Sequence, residues 1–593
     1  MGAHVKRAQL TVVGLTALSL AATALVTAPA SQGATQAVTA PIDCPKAFPT
    51  TDAVDGVEGT GFTVSKGRTP EPFSAKVIGR LTDGIFPGVD MIMAEVSSPA
   101  LTKAGGVWAG MSGSPVYAED GRLIGAVAYG LSFGPTNIAG ITPAEAMFPL
   151  LDGPTTAAAR SRGAASRVAV PSAVAARIAA RTGVSTQAAA GGFERLQLPV
   201  MVSGGNSKAR QKLMDRLAKR FDDVRFVTAA SAESSTASPA SIVAGGNFVA
   251  AISYGDITFA GAGTTTFVCG TRAVAFGHPF FALAPMTLSA HDSTAVYVQP
   301  DPVFGPYKLV NPGGVVGTVD TDAIPGISAR LGVAPPTMKV TASITKGTTK
   351  VKGTSRGVFD LFHGDVAANQ VYVSILKAFN TRSGGSAAIK TTIKGVRANG
   401  KPFTLSYSDH YADPLNVAYD VADATYASVD RLVSQEFEDV RLTSVDVSGS
   451  VESTVRLYSV GSVKVKQGGS YVKPKGTLKV KAGKKLPVRL TLDAYKGRLP
   501  DLTVTMSVPA PAKAKGKTGT LAVSAGADEF WFEDEETSSP KNFSQLLAEL
   551  RNEARNDQVR GDLVFSDKLQ GHALAIVNGE VSGYSDEWSA RAL

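Results

Sequence analysis

One short segment constrains the fold of this chain more than any other. It is Gly110-Met111-Ser112-Gly113-Ser114-Pro115, followed by Val116-Tyr117, an Asp120-Gly121 turn and an apolar run over 123–128. Glycines on both sides of a serine allow backbone angles that other residues avoid, so the chain can bend tightly and aim its N–H groups at one point. The proline closes the bend and the apolar run begins a hairpin, which puts the serine in a turn within β structure. If Ser112 is a nucleophile, the N–H groups of Gly110 and Ser112 face an oxyanion beside its hydroxyl. The other reading of the same residues is a Gly/Ser turn between two strands, without chemistry.

Far downstream, Gly263-Thr264-Thr265-Thr266-Phe267 leads to Ala275-Phe276-Gly277-His278-Pro279-Phe280, where a tight turn presents one histidine. A neutral imidazole can take the hydroxyl proton that serine does not lose unaided. Residues 110–115 have the Gly-x-Ser-Gly-x-Pro form of chymotrypsin-like serine peptidases. With Gly105-Gly106-Val107 before it and Gly121-Arg122-Leu123-Ile124-Gly125-Ala126-Val127 after it, the segment resembles the SpoIVB-type sporulation serine peptidases. The 263–280 segment is similar to the strand and Gly-His turn that carry the base histidine in that family.

The resemblance spans residues 55–150 and 245–340 and implies a chymotrypsin-like two-barrel core. It implies Ser112 as nucleophile, His278 as general base and then acid, and the Gly110 and Ser112 amides as oxyanion donors. It also implies a peptide or protein substrate and no cofactor. In that family the histidine half precedes the serine half; here the order is reversed, so the resemblance is to a rearranged member. Triads are defined by geometry rather than chain order. Shortly before the serine motif, where the family's acid is expected, stand Ser97-Ser98, which leaves Asp90, Asp256 and Asp292 as candidates. His291-Asp292 is the alternative base, or a surface loop. A non-catalytic envelope protein that retains a peptidase scaffold is the competing function.

The chain begins with Lys6 and Arg7, an apolar run over 10–26 and small residues through Ala28-Pro29-Ala30. That pattern predicts a signal peptide over 1–37 and a secreted or envelope protein. In an exported protein, two cysteines, Cys44 and Cys269, predict one disulfide, with two buried thiols as the alternative. The formal charge of +9 comes from dispersed residues, denser over 473–485 and 513–517. Such a surface suits loose attraction to anionic wall polymer or membrane, and not sequence-reading of nucleic acid.

A chain of 593 residues, 44% hydrophobic and 18% charged, is long enough for several packed domains. Alternating runs predict strands at 60–64, 75–79, 90–96, 196–203, 248–253, 256–260 and 264–268. Thr142-Pro143-Ala144-Glu145 reads as a helix start with Thr142 as cap. The expected organisation is mainly β. A serine module covers 45–151, a linker 152–194, a small α/β segment 195–244 and a histidine module 245–346. An α+β region follows over 347–449, then a β-sandwich-like domain over 450–525 and a tail over 526–593. Helices are expected over 172–181, 207–221, 413–437 and 542–554, and Asn399-Gly400 marks a hairpin.

Overall fold

The structure, a computed structural model, describes residues 44–592 apart from 133, 135, 155–166, 204–223, 229–230, 234, 282–285, 303–304, 526–538, 566–568 and 584–587. The expected signal segment and the helix expected over 207–221 lie outside the described residues.

Period-two patterning dominates, and the fold is mainly β, 51% strand and 19% helix. In β2 (Glu71–Phe86), Phe73, Ala75 and Val77 are buried while Ser74 and Lys76 are exposed, as expected of a strand with one face on a core. With β1 (Glu58–Thr63), β3 (Val89–Ser97), β4 (Pro115–Ala118), β5 (Leu123–Leu131) and β6 (Ile138–Pro143) it forms an antiparallel sheet. The order is β1-β2-β3-β6-β5-β4, closed by pairing of β4 with β1. Residues 144–202 add α1 (Ala144–Met147), β5-side strands β7 (Arg167–Val168) and β8 (Phe193–Arg195), and β9 (Leu198–Val202). The strand β10 (Val224–Thr228) lies parallel to β9.

A second barrel follows: β11 (Asn247–Gly255), β12 (Phe259–Cys269), β13 (Arg272–Ala275), β14 (Leu288–Gln299), β15 (Tyr307–Ala323) and β16 (Gly326–Leu331). Its order, β11-β12-β13-β16-β15-β14 with β14 closing onto β11, repeats that of the first. Two closed six-strand antiparallel barrels make this a chymotrypsin-like two-barrel core. Because the order repeats, the connection from third to fourth strand is equivalent in both barrels. In the first it carries residues 98–114, and in the second residues 276–287.

Two expectations are corrected by hydrogen bonds. Thr142 does not cap the helix; its Oγ1 donates to Gly277 O at 2.6 Å in the other barrel, and Pro143 stands at the cap position without a side-chain bond. Glu145 accepts from Thr50 N at 2.9 Å instead of reaching back. The expected strands at 256–260 and 264–268 merge into one, β12, which begins only at Phe259; residues 256–258 form the turn before it.

The sheet continues from β11 through Thr349–Gly357, Met338–Lys346, Val440–Glu452, Gly385–Arg397 and Pro402–Asp413. The Asn399-Gly400 hairpin joins the last two in chain order. Helices His363–Phe379 and Val417–Val433 bury their apolar sides in the same core. The final part is a two-sheet sandwich with a common core that includes Val465, Leu490, Val508, Leu521, Val523 and Leu563. It takes strands from both 457–525 and 558–592: Glu580–Ser582 pairs with Leu457–Gln467, and Trp588–Ala592 pairs with Thr518–Ala525. The expected tail is therefore part of the sandwich, because distant strands complete the pairing edges. Helix Phe543–Asn552 buries Phe543, Leu546, Leu547 and Leu550, with Phe543 edge-on to Phe403. Cys44 and Cys269 form a disulfide, Cα–Cα 4.6 Å, tying the first described residue to the end of β12.

The sandwich meets the sheet through titratable groups. Asn556 N donates to Asp409 Oδ1 (2.8 Å), Ala412 N to Glu580 Oε2 (2.7 Å), and His410 Nδ1 lies 3.0 Å from Asp557 Oδ2. Burial pushes Glu580 up to about 7 and Asp409 up to about 6, while the hydrogen bond that His410 donates to Asp557 raises His410. All three hold a proton more tightly in the folded chain than in the unfolded one. Their contribution is full in acid and is lost as pH rises through about 6 to 7. The contribution of these three groups to the unfolding midpoint should therefore fall between about pH 5 and about pH 8. Glu580→Gln should flatten that part of the dependence, as urea titrations at both pH values will measure.

Candidate functional site

The serine loop is hydrogen-bonded to the threonine-rich strand β12 of the second barrel. Thr264 N donates to Ser112 O at 2.8 Å, Thr264 Oγ1 to Gly110 O at 3.2 Å, and Thr266 Oγ1 to Gly113 O at 2.9 Å. Thr264 O in turn accepts from Phe276 N at 3.2 Å, and Gly113 N donates to Val127 O at 2.8 Å. Gly113 has φ +94°, and a Cβ there would stand 1.9 Å from Thr264 O, so no other residue fits. The threonine-rich strand that precedes the histidine is thus the wall against which the serine loop is set.

Ser114 has a structural task. Its Oγ donates to Met111 O at 2.6 Å and meets Thr63 Oγ1 at 3.0 Å, and its N–H also bonds Met111 O. In a trans peptide, C=O and N–H point in opposite directions. Tying Met111 O to Ser114 therefore turns Ser112 N–H away from Ser114. Ser112 is wholly buried, and its Oγ has no hydrogen-bond partner. Among the described residues, the N–H groups of Gly110 and Ser112 meet no acceptor either.

His278 follows Phe276, whose φ of +74° is strained for a bulky side chain. The Phe276 ring packs edge-on to Phe248 and stacks on Phe280, holding that turn in place. His278 Nδ1 lies 2.8 Å from Pro279 O; a carbonyl only accepts, so Nδ1 carries the proton and Nε2 the lone pair. Nε2 is buried and has no hydrogen-bond partner. Burial, and then the charge of Arg195, pull the imidazole down to about 3, so it is neutral. Ser112 Oγ and His278 Nε2 make no hydrogen bond to each other; their loops are linked through Thr264, and both groups are unpaired.

The candidate acids are engaged elsewhere. Asp90 pairs with Arg80 (2.6 Å), Asp256 accepts from Thr354 N (3.0 Å), and Asp292 pairs with Arg68 (2.7 Å). His291, the alternative base, is buried in its barrel, with Nε2 2.8 Å from Ser289 Oγ and Nδ1 3.0 Å from Gly313 O; it is not in a surface loop. The carboxylate that reaches the histidine loop is Asp322, near the end of β15. Its oxygens accept from Phe280 N (2.7 Å) and Phe281 N (2.9 Å). Sequence reading missed it, although Asp320-Thr321-Asp322 just before the Pro325-Gly326 turn was the available signal.

The connection between the barrels runs beside this site. Arg195 in β8 pairs with Tyr129, Leu196 N donates to Ala128 O at 2.9 Å, and β9 then pairs with β12. Pro199 Cγ lies 3.3 Å from where a Cβ on Gly110 would be. Residues 194–197 are half-buried, whereas Ser112 and His278 are 0% and 1% exposed. No protein-family model, curated protein or solved structure matches this chain.

Partnering separates the two serines by stability. Ser112→Ala removes an unpaired buried hydroxyl and should leave stability within about 0.5 kcal/mol or raise it, whereas Ser114→Ala should cost about 0.5–1.5 kcal/mol by losing the hydroxyl's bonds to Met111 O and Thr63 Oγ1, with Met111 O still held by the residue 114 N–H. Chemical denaturation of both variants, measured side by side, checks the order.

Proposed function

We propose that this chain is an exported serine endopeptidase. The observation that carries the reading is that the serine loop and the histidine turn are both bonded to Thr264 of one strand, with the Ser112 hydroxyl and His278 Nε2 as unpaired buried groups. In the reaction, Ser112 Oγ attacks a peptide carbonyl while its proton passes to the His278 Nε2 lone pair. The carbonyl oxygen becomes an oxyanion received by the Gly110 and Ser112 N–H groups. The imidazolium then protonates the leaving amine, and water releases the acyl group by the same route in reverse. Asp322 supports the loop through backbone N–H groups, while Pro279 O holds Nδ1, a departure from an acid placed on Nδ1.

The substrate is an extended peptide or protein segment that displaces part of 194–197. Removing Arg195 and admitting water both raise the histidine toward its ordinary value, making it a better base. Export is supported by the Lys6–Arg7 start, the apolar run after it and the disulfide. Among the described residues, no helix is long and apolar enough to cross a membrane. The dispersed basic residues add a loose attraction to anionic wall or membrane surfaces. A second reading, a non-catalytic envelope protein on a peptidase scaffold, is favoured by the burial of Ser112 and His278.

A biotinylated fluorophosphonate should attach to the peptide containing Ser112. Ser112→Ala and His278→Gln should abolish attachment, and Arg195→Gln should accelerate it. Absence of attachment to the native protein at every pH from about 5 to about 9 would reject the peptidase reading in favour of the second.

A further inference from the structure

Lys308, in β15, is 1% exposed, and its ammonium meets no carboxylate within hydrogen-bond reach among the described residues. Nζ lies 2.9 Å from Asn247 Oδ1 and 3.4 Å from both Gly263 O and Thr264 Oγ1. Glu71, on β2, is the charged group that acts on it from a distance. A buried cation without a counter-ion is costly, and a surface lysine would serve packing as well. Its location gives a reason for keeping it.

Lys308 touches the serine loop at three points. Its backbone N–H donates to Ala109 O at 2.9 Å. Opposite orientation within the Ala109–Gly110 peptide then turns Gly110 N–H away from Lys308. Its ammonium meets Thr264 Oγ1, which donates to Gly110 O at 3.2 Å and fixes the next peptide. Its stem closes off the Cα of Gly110, where an added Cβ would stand 3.1 Å from Lys308 Cβ and 3.3 Å from Cε. Both peptide planes that flank Gly110 are thereby set by this residue.

Building on the peptidase reading, we propose that Lys308 is a positioning residue of the oxyanion hole: it holds the Gly110 N–H in its donating orientation and places a buried positive charge behind it. An oxyanion forming in a site closed to water gains from a fixed cation that needs no reorganisation. Asn247 and Thr264 keep that cation in place. Burial lowers the ammonium to about 7, so the charge is present below that pH and lost above it.

The test follows the rate of fluorophosphonate attachment to Ser112 from about pH 5 to about pH 9 in the full chain. Once pH is high enough for His278 to be neutral, native protein should label more slowly as pH rises through about 7. Lys308→Met, which keeps the stem and removes the charge, should label about 10- to 100-fold more slowly below pH 7, with no decline through that range. Near-UV circular dichroism checks that the variant is folded. Thr264→Val, which cuts the hydroxyl link to Gly110 O and one of the ammonium's three contacts but leaves the cation on Asn247, should label more slowly yet keep a decline as pH rises. A native profile with no decline through about pH 7 overturns the proposal even if Lys308→Met does not fold, and so does a folded Lys308→Met that labels at the native rate. Native protein that never labels at Ser112 fails the peptidase reading itself, and the proposal falls with it.

Discussion

The core depends on one interaction, the binding of the serine loop to the threonine strand of the second barrel. Ser112 O, Gly110 O and Gly113 O each accept from Thr264 or Thr266, so three of the four successive carbonyls from Gly110 are held by a chain segment more than a hundred residues away. Met111 O, the fourth, is held by Ser114. Buried backbone acceptors need partners, and here their partners come from the other barrel. Neither barrel alone could set this loop. Thr142, reaching from the first barrel to Gly277 O, gives the histidine turn the same dependence in the opposite direction.

With the backbone fully engaged, the side chains that remain unpaired stand out. A hydroxyl at Ser112, an imidazole nitrogen at His278, a strained φ at Phe276 and a cation at Lys308 all break local rules of stability within one region. Such costs persist where surrounding structure enforces them, and their clustering is the physical ground for a functional reading. The satisfied groups nearby sharpen the contrast. Ser114 and His291 have the same chemistry as the proposed pair, yet each is consumed by hydrogen bonds that build the fold.

Closure of the site has a simple origin. The inter-barrel connection extends β5 at one end and β12 at the other, so an extended segment runs past the histidine and the glycine of the serine loop. Burial and the Arg195 charge both favour neutral imidazole over imidazolium. The resting arrangement therefore protects the loops at the expense of basicity, and access to the site is coupled to the strength of its base.

Much of this was legible in local sequence. Glycine and proline around Ser112, the Gly-His-Pro turn, the alternating strands and the two cysteines each act through neighbours in the chain or through a pairing with one possible partner. The register of distant strands was not legible, because β pairing is decided by which edges meet once the chain has collapsed. That is why Thr142 reads as a helix cap yet bonds Gly277, and why Asp322, rather than Asp90, Asp256 or Asp292, reaches the histidine loop. It is also why residues 558–592 read as a tail but complete the sandwich. The sequence by itself determined which residues could carry chemistry. Tertiary structure decided which of them stayed unpaired, since a hydroxyl or imidazole is silenced or exposed only by the groups that folding brings against it.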